Sequence, residues 1–73
     1  MNFTAVFVPV PEDEGGGFMA YAEELPGAVT QGETIEETRE NLKDAIGQVI
    51  EANRELRAGK AEGLIREQIS VAV

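Results

Sequence analysis

Carboxylates are the one abundant group in this sequence that could do acid–base or metal chemistry. The 73 residues hold 14 Asp and Glu but no His and no Cys. Imidazole and thiolate chemistry, zinc ligation by either group and disulfides are therefore excluded together. Two converging carboxylates could serve as general acid and base, or gather a magnesium ion. The candidates by spacing are Glu12-Asp13-Glu14, Glu23-Glu24 and Glu36-Glu37. Neighbours on a strand point to opposite faces, and neighbours on a helix diverge by about 100°, so none of these sets converges locally. Gly15-Gly16-Gly17 lacks the lysine and the following helix start of a phosphate loop, and three acids precede it. Thr4, Thr30, Thr34, Thr38 and Ser70 are hydroxyls without a partnering base. The expectation is a chain with no catalytic residue, no metal and no cofactor.

The charge asymmetry is more informative. Net charge is -8 and the pI near 4.3. Glu12, Asp13, Glu14, Glu23, Glu24, Glu33, Glu36 and Glu37 all precede the first base, Arg39. The remaining acids are balanced by Arg39, Lys43, Arg54, Arg57, Lys60 and Arg66. Such a chain repels phosphate backbones, so direct nucleic-acid binding is not expected, whereas a basic protein partner is. Glu12, Asp13, Glu14, Glu23 and Glu24 are the candidate contacts for it. No stretch has the apolar length of a membrane span, and the N-terminal residues do not form a basic-then-apolar leader. The expected setting is the cytoplasm, with no membrane partner.

These residues need elements to position them. Residues 3–10, FTAVFVPV, are β-branched and aromatic and read as a strand, with pairing expected to fail near Pro9. Residues 11–17 form an acidic, glycine-rich loop, and residues 18–23 a second strand. Leu25-Pro26-Gly27 is a turn, and a third strand over 28–31 closes at Gly32. Thr34 followed by Glu37 is a capping box, with acids in the first turn and bases later. Ile35, Leu42, Ala45, Ile46, Val49, Ile50 and Leu56 then draw one apolar stripe of a helix reaching about Ala58. That helix is roughly 36 Å long, against a compact diameter of about 29 Å for this chain length, so it frays near Asn53 or projects. Gly47 would let it approach the sheet. Residues 67–73, EQISVAV, alternate as a last strand.

The order β-β-β-α-β predicts a single α+β domain over 1–73, a four-stranded sheet with one long helix on one face. The first strand is apolar on both parities, which favours a central place for it beside the fourth. Tyr21 and the three phenylalanines are assigned to packing. One helix cannot cover both faces of a sheet, so Val6, Val8, Val10, Met19 and Tyr21 are candidates for an oligomer or partner face. A core this small also needs support, and a dimer or larger assembly is the support still available to it.

Gly16-Gly17-Phe18, Leu25-Pro26-Gly27, Gly32-Glu33-Thr34 and Glu37, followed by Asn41-Leu42 and Ala45-Ile46, resemble the pattern of the HicB family of antitoxins. The resemblance covers nearly the whole chain. Ala28 stands where that family often has Cys, and Thr38 where Ala is common. The resemblance implies a partial RNase H-like fold without nuclease activity. It also implies binding to a small basic HicA-type toxin, of double-stranded-RNA-binding fold, that cleaves mRNA. No counterpart of the C-terminal DNA-binding segment common in the family is expected, nor is operator binding by this chain. The second reading is a solitary oligomeric domain of the same family with no toxin partner and a regulatory or ligand-binding role.

Overall fold

Apolar alternation in the first two runs lets them pair as a hairpin, and the Leu25-Pro26-Gly27 turn returns a third strand. The computed structural model describes residues 1–59 and 63–72. Strand β1 spans Ala5–Pro9, β2 Phe18–Ala22 and β3 Val29–Gly32; helix α1 spans Ile35–Arg57. The sheet is antiparallel in the order β1-β2-β3, so β1 lies at an edge and β2 at the centre. Val6 faces Tyr21, Val8 faces Met19, and Tyr21 in turn faces Val29.

The two connections follow from local chemistry. Residues Glu12–Glu14 make a single 3₁₀ turn in what the sequence presents as plain loop. Gly15, Gly16 and Gly17 then each take positive φ, which only glycine adopts without strain. This lets Val10 N–H donate to the Gly17 carbonyl at 2.9 Å and close the hairpin. At the second turn Pro26 precedes Gly27, at φ 95°, and Ala28 N–H donates to the Leu25 carbonyl at 3.2 Å. Proline then glycine is the preferred pair for a type II turn.

Pairing does not fail at Pro9, which stays in register with Phe18. The parity of the ladder explains it. Glu23 N–H donates to the Thr4 carbonyl and Val10 N–H to the Gly17 carbonyl, so even-numbered β1 residues turn their backbone groups toward β2. Pro9 therefore presents its missing N–H to the open edge, where a proline is tolerated.

The helix lies over β3 and β2 and touches β1 least. It covers the face carrying Phe7, Ala20 and Ala22, and the fully packed apolar core is Ala20, Ala22, Ala28 and Leu42. Close approach comes from Gly32: a Cβ there would sit 2.6 Å from Thr38 Oγ1 and 2.9 Å from its backbone nitrogen. Gly47 does not play the part expected of it, since a Cβ at that position meets nothing within 4 Å. The helix neither frays at Asn53 nor stays over the sheet. It runs intact to Arg57, its residues 51–57 are all exposed, and Leu56 keeps 56% of its surface in solvent.

The sheet has three strands among the described residues, not four. Of the expected strand over 67–73, Val73 lies outside the described residues, and 67–72 belong to no strand and are exposed. Alternation states that a segment has an apolar side; it does not state where that side is covered. The radius of gyration is 15.6 Å, against about 11 Å for a compact chain of this length. A fold class of α+β, with one long helix on one face of an antiparallel sheet, stands.

Candidate protein-binding surface

The face of the sheet opposite the helix is built by the even residues of β1 and their partners. Val6 and Val8 come from β1, Met19 and Tyr21 from β2, and Val29 from β3. Val8 is 37% exposed, Met19 39%, Tyr21 39% and Val29 54%, while Val6 is half-buried between its neighbours. Of the residues assigned to this face from sequence, Val6, Val8, Met19 and Tyr21 lie on it. Val10 follows the strand and lines a cleft at the sheet end with Glu14, Gly15, Gly16, Gln31, Gly32, Glu33 and Glu37. Val29, which sequence reasoning left out, joins the face through its pairing with Tyr21; two-residue alternation in the third strand was the available signal.

The acidic candidates are separated rather than gathered. Glu12, Asp13 and Glu14 sit at the end of the sheet where β1 passes to β2, and Glu23 and Glu24 at the opposite end, after β2. At the first end Glu33 and Glu37 join Glu14 around an open cleft of about 400 Å³. Those two glutamates, at and just before the helix start, were missed because their proximity to Glu14 is set by the β2–β3 pairing. The cleft is a region of negative potential and not a cation cage: among the described residues no cluster of three Asp and Glu could hold a metal ion.

Glu24 has an intramolecular task. One of its carboxylate oxygens accepts from Thr4 N–H at 2.7 Å and the other from Thr4 Oγ1 at 2.6 Å. The Thr4 hydroxyl first, and its backbone N–H second, hold the Glu24 carboxyl below the usual carboxylate value. Glu40 is likewise lowered, by its hydrogen bond to Lys43 at 2.8 Å and by that charge. Glu23 has no such partner and is exposed.

The helix start is half of the expected capping box. Thr34 Oγ1 accepts from Glu37 N–H at 3.1 Å, while the Glu37 carboxylate makes no return bond to Thr34. Among the described residues no helix is long and apolar enough to cross a membrane. An apolar sheet face with an acidic end can bind a protein through desolvation at its centre and charge at its rim.

Comparison with known proteins gives the family. Over 59 residues the chain is 42% identical to the UPF0150 protein ssl0738 of Synechocystis sp. (strain ATCC 27184 / PCC 6803 / Kazusa), spanning 80% of this chain and 82% of that one. Over 46 residues it is 41% identical to proteins named antitoxin HicB from Escherichia coli K12 and O157:H7. That match spans 63% of this chain but 31% of each antitoxin, so the chain corresponds to about a third of their length. No family model and no solved structure matches it. Similarity across four fifths of this chain and of the Synechocystis relative, together with the matches to the two antitoxins, leads to one conclusion: the chain belongs to the HicB-like family.

Proposed function

We propose that this chain is a non-catalytic, antitoxin-like domain that neutralises a small basic HicA-type mRNA-cleaving toxin by binding it directly. The observation that carries the reading is the open apolar sheet face of Val6, Val8, Met19, Tyr21 and Val29, in a chain whose negative excess is gathered in the same strands and turns. Relatives named antitoxin HicB supply the class of partner. On this reading the sheet face forms the centre of the interface and sets the off-rate. Glu12, Asp13 and Glu14, with Glu33 and Glu37 beside them, form a rim that speeds encounter with a positively charged surface. Glu23 serves as a second rim charge at the far end, and Glu24 serves mainly to hold Thr4. A partial RNase H-like architecture is part of the same proposal, with a fourth strand added at the free edge of β1.

The test is co-expression with a small basic HicA-type toxin, scoring growth and co-purification. Rescue of growth together with a stable complex supports the reading. A folded chain that neither rescues nor co-purifies removes it, and leaves the solitary oligomer of the same family, in which a second copy covers the sheet face.

A further inference from the structure

We infer that residues 64–72 of one copy form the missing edge strand of a second copy, pairing along β1 so that two chains exchange these segments reciprocally. The edge that receives the strand is defined by β1 itself. Because the even residues bond toward β2, the N–H and C=O groups of Phe3, Ala5 and Phe7 point outward, and Pro9 ends the row of donors. An unpaired row of this kind is a template for a further strand. On its helix side lies an open groove of about 320 Å³ between Phe3 and Ala5 on one wall and Leu42 and Ile46 on the other. Arg39 roofs one end of it, with its guanidinium carbon 5.7 Å from the centre of the Phe7 ring.

The occupant has the matching pattern. In residues 64–72 three of the four odd positions, Ile65, Ile69 and Val71, are apolar, with Glu67 the exception, and the even positions between them are Arg66, Gln68 and Ser70. A strand with this alternation has one apolar side for a groove under the helix and one polar side for the open sheet face. In the chain by itself that apolar side is wasted: Ile65 is 89% exposed, Ile69 77% and Val71 69%. Among the described residues no backbone hydrogen bond ties 63–72 to the sheet. The projecting end of α1 carries the segment outward, and the extents of 42 × 35 × 19 Å are those of a chain with an arm. A core of four small or medium apolar residues has most to gain from a second copy's arm. Exchange of one identical element is a low-cost route to a closed two-fold dimer, and it leaves the sheet face of the proposed toxin interface free.

The full-length chain is the material for the test. Isotope-labelled and unlabelled protein are denatured together, refolded as an equal mixture and measured by isotope-filtered NOE spectroscopy, with the mass taken by sedimentation. The inference expects a dimer and NOEs between labelled and unlabelled chains that connect residues 64–72 to residues 3–8. Ile69→Asp combined with Val71→Asp should weaken the dimer by roughly 100-fold or more, since two apolar side chains lose their burial. A monomer at micromolar concentration overturns it. So does a dimer in which the same NOEs arise only within one chain, because the segment has then closed on its own β1. A dimer without NOEs between 64–72 and β1 overturns it as well.

Discussion

The Glu24 carboxylate grips Thr4 with both oxygens, receiving its N–H at 2.7 Å and its hydroxyl at 2.6 Å, and so pins the start of β1 to the turn after β2. The carboxyl is held below its ordinary value by these bonds, which sets the sign of the pH dependence. A group with a depressed folded-state pKa contributes stability above its unfolded pKa, and the contribution is lost as pH falls through the folded value. Thermal melts of the wild type and of Glu24→Gln should therefore differ at neutral pH and converge on the acid side of the ordinary carboxylate range. Glu40, lowered by Lys43, leaves a remaining acid dependence in the variant. Equal separation of the two melts at every pH contradicts the assignment.

Gly32→Ala should destabilise the fold by about 1–3 kcal/mol, the usual cost of an overpacked site. The new methyl group would overlap Thr38 Oγ1, but also the Thr38 backbone nitrogen. Adding Thr38→Ala should therefore restore only part of the loss, whereas full restoration would show that the hydroxyl alone sets the spacing. Urea denaturation of the wild type and the two variants measures this.

The helix makes two opposite predictions. Gly47 is exposed and a methyl group there meets nothing, so Gly47→Ala should stabilise by up to about 1 kcal/mol. Thr34→Ala removes the hydroxyl that accepts from Glu37 N–H and should cost about 1 kcal/mol, with Glu37→Ala costing less. Calorimetric melting points that fall for Gly47→Ala, or stay fixed for Thr34→Ala, contradict the placement of the helix.

Much of this was legible because it is local. The Thr34 cap, the Pro26-Gly27 turn and the stripe from Leu42 to Ile50 each depend on residues a few positions apart. What was not legible depends on direction or on distant pairing. The outward N–H of Pro9 follows from ladder parity. The company Glu14 keeps with Glu33 and Glu37 follows from the pairing of β2 with β3 and the helix start. Gly47 read as a contact because a glycine in a helix suggests one, while the contact is made by Gly32 at the end of β3. The last segment alternates, but alternation does not say whether or where its apolar side is covered.

Neutralising Glu12, Asp13 and Glu14 to Gln and Asn should slow association with the basic partner and flatten its dependence on salt. Charges on a rim act mainly through the encounter rate, and they are screened over about 8 Å at physiological ionic strength. The same treatment of Glu51 and Glu55, exposed on the charge-balanced helix, should do less. Stopped-flow association at several salt concentrations compares them, and equal slowing by both sets would count against a localised acidic rim.

Binding of a small basic HicA-type toxin to the chain carrying Val8→Asp and Tyr21→Asp tests the central claim most directly. Both residues lie on the sheet face opposite the helix and outside the core, 37% and 39% exposed, and binding is compared once circular dichroism shows the variant folded. Calorimetric titration should show tight binding by the wild type and, for the folded variant, an affinity lower by roughly 100-fold or more, carried mostly by a faster off-rate. Wild-type affinity in the folded variant would contradict the account, because the open face would then not be where the partner sits.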